Sequence, residues 1–143
     1  MSASYLELVC PAGTPAAMRA AIDAGADTVY CGFRDATNAR NYPGLNFDRD
    51  EMAEGIAHAH ARGRKVLVAI NTFPRPGDVG IWRQAVDDAA SFGADAVILA
   101  DIGMLDYASR RHPGLRLGST NELLGGIRPW VSRRKRSASA SRP

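Results

Sequence analysis

Two stretches of nearly the same sequence decide the fold of this chain: Gly25–Tyr30 reads GADTVY, and Gly93–Ile98 reads GADAVI. In each stretch a helix rich in small residues is predicted to end at the glycine, and an apolar strand to follow at once. Both stretches belong to a strand–loop–helix unit that occurs four times in residues 1–115. Such alternation is typical of parallel α/β architecture, in which functional groups gather at the carboxyl ends of the strands.

The hydrophobic pattern and the capping residues define the individual elements. Thr14 before Pro15 is a typical helix start, and Asp48 with Glu51 resembles a capping box, while Asp78 is predicted to cap the third helix. The predicted strands cover residues 6–10, 27–31, 65–71 and 96–100, with a fifth beginning at 115–117, and the predicted helices cover 15–24, 49–61, 79–92 and about 104–111. Four βα units make half of an eight-stranded TIM-like barrel. We therefore predict a partial barrel, with an open doubly wound sheet as the alternative, and the repeat at two-unit spacing favours the barrel.

The charge of the chain divides it into two segments. Residues 1–115 hold eleven Lys and Arg against fourteen Asp and Glu, whereas residues 116–143 hold seven Lys and Arg against Glu122 alone. The sequence thus predicts a partial TIM-barrel-like domain over 1–117 and a non-homologous, disordered basic tail over 118–143. It contains neither a run of 18 apolar residues nor a signal-peptide pattern, and it has two cysteines. We expect no membrane span and a cytoplasmic location.

The basic tail has three possible explanations. Arg133–Arg136 reads RRKR, which could bind RNA or a membrane surface through charge, but its surroundings are low in complexity and offer no aromatic side chain beyond Trp130. A shifted reading frame in a GC-rich gene, or a truncation, would also produce Arg, Ser, Ala and Pro. We favour the frameshift or truncation over a natural disordered tail, and we expect no nucleic-acid binding.

Polar residues follow the predicted strands at the edge where barrel proteins bind their ligands. Asn71 and Asp101 end the third and fourth strands, so a polar substrate group could be held between adjacent loops. The alternative is that each caps the backbone that follows it. The loop after the second strand adds Asn38, Arg40 and Asn46. Arg40 could bind a carboxylate or phosphate in a bidentate manner, or it could be solvated or paired with an aspartate nearby, Asp35 or Asp48.

The cysteines and histidines offer weaker candidates. Cys10 and Cys31 end neighbouring strands and could form a redox pair or half of a metal site, but two small core residues are the simpler interpretation. His58 and His60 are two positions apart on a predicted helix, which turns them to different sides, so we interpret them as surface residues. The sequence contains neither a Walker-type loop nor a Ser/His/Asp arrangement in a familiar context, and the catalytic residues remain unassigned.

Several sequence segments, taken together, resemble peptidase family U32, the collagenase-like peptidases of unknown catalytic type. The resemblance covers about residues 5–117. The segments are Glu7–Gly13, Gly25–Gly32, Thr37–Arg40, Gly44–Phe47, Ala69–Phe73 and Ala94–Asp101. Within the family, these segments are most similar in sequence to those of UbiU-like members.

The resemblance implies a TIM-barrel-like domain and a role in oxygen-independent ring hydroxylation during ubiquinone biosynthesis. It further implies a heterodimer with a UbiV-like sister protein and a 4Fe-4S cluster in the full-length family. The four cluster cysteines of the family have no counterparts here, because Cys10 and Cys31 do not match them and the similarity stops after Leu117. We therefore expect no cofactor in this chain, no activity of the chain alone, and self-association through open sheet edges. A collagenase-like protease and an RNA-binding module acting through the tail are the alternatives.

Overall fold

The computed structural model describes residues 6–119. Its elements alternate without exception along that part of the chain. The strands are β1 (Val9–Pro11), β2 (Thr28–Gly32), β3 (Lys65–Ile70), β4 (Ala96–Leu99) and β5 (Arg116–Ser119), and the helices are α1 (Pro15–Asp23), α2 (Arg49–His60), α3 (Val79–Ser91) and α4 (Ile102–Arg111). The predictions about the basic tail fall on residues 120–143, outside the described part. The predicted boundary at residue 117 remains a prediction, and β5 continues through Gly118 and Ser119.

The five strands form one parallel sheet in the order β1-β2-β3-β4-β5. Every strand pairs with its neighbours in sequence, as Val9 with Thr28 in β2 and Leu67 with Ala96 in β4. A doubly wound sheet would reverse its strand order at one point, whereas a barrel does not. The order therefore confirms four βα units of a TIM-barrel-like fold and a fifth strand.

The two faces of the sheet have different partners, which supports the same conclusion. Alternate residues of β3 point in opposite directions: Val66, Val68 and Ile70 belong to the main core with the helices, and Leu67 and Ala69 to a second cluster. The side chains that complete the second cluster are Ala96, Ile98 and the half-buried Tyr30, and all of them belong to strands. Helices thus cover one face, and the other face corresponds to the interior of a barrel.

The GAD repeat links each unit to the one before it. Gly25 and Gly93 have φ angles of +103° and +85°, a conformation that suits glycine, and they end α1 and α3. The aspartates two residues later bond to the neighbouring unit: Asp27 accepts at 2.9 Å from the N–H of Leu8, directly before β1, and Asp95 accepts at 2.8 Å from the N–H of Val66 in β3. The repeated motif is therefore a structural device that fixes the register of neighbouring strands.

Helix starts agree with the sequence at three of the capping positions. Thr14 accepts from the Ala17 N–H, and the capping box of Asp48 and Glu51 is complete. Asp78 precedes α3 as predicted, but its side chain makes no capping hydrogen bond. α4 begins at Ile102, two residues before the predicted start, because Asp101 caps the helix directly after β4. β1 begins later than predicted, at Val9, because the Leu8 N–H donates to the Asp27 side chain and not to a backbone carbonyl of β2. None of the helices in 6–119 is long and apolar enough to cross a membrane.

Candidate functional site

The long connection from β2 to α2 folds back on itself above the sheet. Phe33 and Phe47 form an isolated parallel bridge and are fully buried, which closes the ends of the loop. The Arg34 guanidinium donates to the carbonyls of Leu45 and Asn46 and binds the Glu51 carboxylate at 2.8 Å. The loop is therefore fixed at both ends, so its middle is held over the carboxyl edge of the sheet.

Asn38 lies directly over the end of β2. A Cβ atom on Gly32 would be 1.6 Å from the Asn38 Nδ2 atom, so the amide occupies space that a side chain would otherwise take. Asn38 Oδ1 accepts from the Arg40 N–H at 2.7 Å. Gly32 follows Cys31, which faces the helices, and it therefore faces the barrel interior. The Asn38 amide nitrogen consequently lies on the interior face.

Asn71 extends β3 on the same face and lies next to this loop. It follows Ile70, which packs against the helices, and its Oδ1 accepts from the Ala39 N–H at 2.9 Å. That bond brings Asn71 beside Asn38, as expected for residues at the ends of adjacent strands. Within residues 6–119, the Nδ2 groups of both asparagines lack a hydrogen-bond acceptor. The arrangement offers two amide donors at the mouth of the interior.

The other three predicted residues have different environments. Arg40 is exposed, and its guanidinium makes no hydrogen bond or ion pair in the described part of the chain. The alternative pairings of Arg40 are wrong, because Asp35 pairs with Arg49, and Asp48 lies 4.0 Å from Arg34.

Asn46 serves as a brace for the loop. Its φ of +70° is a left-handed conformation that asparagine tolerates, its N–H donates to the Gly13 carbonyl, and its Nδ2 donates to the Arg40 carbonyl at 2.7 Å. Asp101 accepts from the Met104 N–H at 2.9 Å, so it is the N-cap of α4. Because Ile70 pairs with Leu99, Asn71 is level with Ala100, and Asp101 is one position further along. Ligand binding by Asn46 and by Asp101 remains a prediction.

An ion-pair network beneath the loop escaped the sequence analysis. Arg49 on α2 binds Asp35 in the loop and Asp88 on α3, and its guanidinium lies 4.1 Å from the centre of the Phe33 ring. Burial favours the neutral form of Asp35, but hydrogen bonds from Thr37 and Arg49 outweigh it and hold the pKa of Asp35 below its ordinary value. The sequence signal that could have pointed to this network is the close spacing of Asp35 and Thr37, which form a local turn.

Thr72 ties the next loop to this one. Its hydroxyl donates to the Ala36 carbonyl at 2.6 Å, and the Trp82 indole N–H donates back to the Thr72 carbonyl at 3.2 Å. The β2–α2 and β3–α3 loops are therefore joined beside the two asparagines, which gives the amide donors a rigid support.

The cysteines face the helical layer, and the histidines lie on or directly after helices. The Cys31 thiol faces α2, 3.5 Å from the Met52 sulfur, and burial raises its pKa to about 12, so it stays protonated. Cys10 pairs with Val29 and is also a free thiol.

His58 and His60 have different neighbours, since the first contacts Arg62 and the second Asp95. Across residues 6–119, no three His, Cys, Asp or Glu side chains are grouped so as to hold a metal ion.

The model of peptidase family U32 matches residues 13–122. The chain belongs to this family. An uncharacterized protease of Methanocaldococcus jannaschii is 36% identical over 122 residues, which are 82% of this chain and 30% of the relative. The tRNA hydroxylation protein P of Helicobacter pylori strain 26695 is 34% identical, over 77% of this chain and 26% of the relative. A collagenase of Porphyromonas gingivalis is 28% identical, over 76% and 26%.

Two solved structures share the fold. A U32 peptidase superposes with a TM-score of 0.59 at 16% identity, covering 82% of this chain and 49% of that one. The hydroxymethylglutaryl-CoA lyase of Pseudomonas aeruginosa gives 0.57 at 18% identity, covering 83% and 46%. Family membership and the TIM-barrel-like fold are thus confirmed. The chain spans less than a third of the length of the curated relatives given above.

Proposed function

We propose that this chain supplies the ring-binding edge of a UbiU-like protein, which hydroxylates a prenylated phenol without oxygen in ubiquinone biosynthesis. The observation that carries the proposal is the pair of free amide donors on Asn38 and Asn71. A phenolic oxygen accepts two hydrogen bonds, so it fits between two such donors. Ala69 and Ile98 on the interior face beneath them are apolar and buried, so the surroundings of the two donors are low in polarity.

Arg40 extends this site with a positive charge. Its guanidinium is without a partner among residues 6–119 and belongs to the same loop as Asn38. A carboxylate on the ring would form a charge-assisted pair with it. The loop around Asn38 is braced by Asn46, so Arg40 is attached to an ordered backbone.

The iron–sulfur cluster that the resemblance implies does not fit the residues described. A cluster is held by four thiolates, and this chain has two cysteines. Cys31 is buried against Met52, and its pKa of about 12 keeps the thiol protonated, whereas a cluster ligand must be a thiolate. We therefore propose that the chain acts only together with cluster-bearing protein and with a UbiV-like sister protein, and that it is inactive alone.

The test measures the binding of a short-chain prenylated 4-hydroxybenzoate to the full chain, with ligand-observed NMR as the method. Asn71→Asp and Asn38→Asp keep the Oδ1 acceptors for the Ala39 and Arg40 N–H groups, but they replace the free donor with an anion. Each should weaken binding by at least about tenfold, since a lost hydrogen bond and an added repulsion exceed about 1.4 kcal/mol. The control Asp23→Asn changes a carboxylate at the end of α1, which is not a candidate residue, and should bind like the wild type. Equal affinity of all four proteins would overturn the proposal.

A second candidate is hydroxylation of a base in tRNA, favoured by the similarity to the tRNA hydroxylation protein P. Two amide donors also suit the carbonyl oxygens of a pyrimidine. Uridine in the same NMR assay separates the candidates, because a nucleoside substrate would bind more tightly than the phenol and lose affinity in the Asn71→Asp variant.

The collagenase-like alternative finds less support at this edge. In the described part of the chain, Cys31 faces the helices, and the three histidines lie on or directly after α2 and α4. Incubation with gelatin would reveal hydrolysis if this alternative held. RNA binding through the basic tail concerns residues outside the described part, and a gel shift with and without residues 120–143 tests it.

A further inference from the structure

A second polar cavity lies in the helical layer, between α3 and α4. Its volume is about 350 Å³. The residues that line it are Arg83, Gly103, Asp106, Tyr107, Arg110 and Arg111. Three guanidinium groups therefore surround one small space in a domain whose first 115 residues carry more acidic than basic side chains.

Among residues 6–119, one of the three arginines has a salt-bridge partner. Arg110 Nε lies 2.9 Å from an oxygen of Asp106. Arg83 lies over the Tyr107 ring, with its guanidinium carbon 5.3 Å from the ring centre. Neither Arg83 nor Arg111 makes a hydrogen bond or salt bridge to a side chain between residues 6 and 119. Arg111 is close enough to the Asp87 carboxylate to help lower its pKa, but the cavity is lined by three arginines and one aspartate, so positive charge is in excess there.

The other carboxylate near the cavity is already engaged. Asp87 on α3 binds His112 Nε2 at 2.6 Å and accepts from the Tyr107 hydroxyl at 2.9 Å. These contacts fix α4 against α3 and hold Tyr107 beneath Arg83. The walls of the cavity are consequently set by contacts that do not involve the two free guanidinium groups.

We propose that this cavity is a binding site for a phosphate ester, held between Arg83 and Arg111. Guanidinium groups present several donors in a plane and bind phosphate in a bidentate manner, and a phosphate would balance the excess of three arginines over the one aspartate that lines the cavity. The volume of about 350 Å³ exceeds what a bare phosphate needs and reaches the lower range of small-ligand sites. A small phosphorylated metabolite and one phosphodiester unit of an RNA share this chemistry.

The experiment measures the affinity of the full chain for inorganic phosphate, uridine monophosphate and a ten-nucleotide RNA by calorimetry at low salt. In Arg83→Gln/Arg111→Gln, affinity for the true ligand should fall by about a hundredfold, about tenfold for each guanidinium removed. Arg75→Gln is the matched control, because it removes the same charge from an exposed loop residue outside the cavity. It should leave affinity unchanged.

The comparison among ligands identifies the source of the phosphate. Loss of uridine monophosphate binding in the double variant supports a small ester, and loss of RNA binding alone supports a phosphodiester. The Lys and Arg residues of 116–143 are the same in every protein, so binding through them is not altered by the substitutions. Absence of any phosphate binding, or an equal loss in Arg75→Gln, would overturn the proposal. Circular dichroism on each variant confirms that the helices are retained.

Discussion

Replacing Gly32 with alanine is the perturbation that most directly tests the geometry of the candidate site. The new Cβ would lie 1.6 Å from Asn38 Nδ2, 2.8 Å from Asn38 Cγ and 3.2 Å from the Ala69 carbonyl oxygen. Asn38 must therefore leave its position, which breaks its bond to the Arg40 N–H. Overpacking costs about 1–3 kcal/mol and the lost hydrogen bond about 1 kcal/mol, so we expect a loss of about 2–4 kcal/mol in the free energy of unfolding.

The free energy of unfolding is measured by urea titration with circular dichroism as the readout, and thermal melting serves as a second measurement. Gly80→Ala is the matched control, since a Cβ there meets no atom within 4 Å and the residue lies in α3. It should stabilise the protein by up to about 1 kcal/mol. Asn38→Ala removes the clashing amide, so Gly32→Ala/Asn38→Ala should be more stable than Gly32→Ala alone. A double variant whose cost equals the sum of the two single costs would refute the proposed position of Asn38.

Four further outcomes are expected. Asp101→Ala should lower the free energy of unfolding by about 1 kcal/mol through loss of the α4 cap, whereas Asp101→Asn should restore most of it, as measured by urea titration. Iodoacetamide at pH 8 should label the half-buried Cys10 before Cys31, whose pKa of about 12 keeps it protonated, and mass spectrometry in denaturant should show both labelled. Hydrogen bonds from Thr37 and Arg49 lower the pKa of Asp35 in the folded protein. The stability that its ionised form contributes is therefore complete above the ordinary aspartate pKa of about 3.9 and is lost as the pH falls through the lower folded pKa. Asp35→Asn should flatten that part of the acid unfolding curve. The chain should scatter light as a species larger than 15.3 kDa because β1, at one end of the described sheet, has no strand on its outer side, and a monodisperse monomer would count against this.

The elements with local causes could be predicted from sequence. Thr14 and Asp48 cap helices through contacts within three residues, so their roles follow from the order of residues alone. The buried run of β3 and the stripes of the helices gave the fold class in the same way. Asp78 shows the limit of this approach, because the residue type suits a cap while its backbone, at φ −108° and ψ 10°, does not.

Contacts between distant residues could not be predicted in this way. Asp27 and Asp95 were recognised as part of a repeat, but their bonds to Leu8 and Val66 span 19 and 29 positions. The role of Arg49 likewise depends on α3 packing beside α2.

The candidate site was predicted only in part. Strand ends correctly placed Asn71 at the carboxyl edge, and the bond to Ala39 brings it beside Asn38. The brace formed by Asn46 depends on a positive φ that sequence alone does not specify. For Asp101, capping and ligand binding involve the same atoms, and only the helix position, known from the structure, shows the cap in use.

The strand order has a consequence for how the chain folds. Each strand pairs only with the strands before and after it in sequence, so most contacts connect residues in adjoining units. Neighbouring strands nonetheless join residues 19 to 37 positions apart, as Val9 with Thr28 and Thr28 with Lys65, so each pairing closes a long loop and a parallel sheet of this kind folds slowly. Stability then behaves as a sum over units and the interfaces between neighbours, as in solenoid repeats. A fold built in this way can be extended by one βα unit at a time, and each added unit needs only the preceding one as its template.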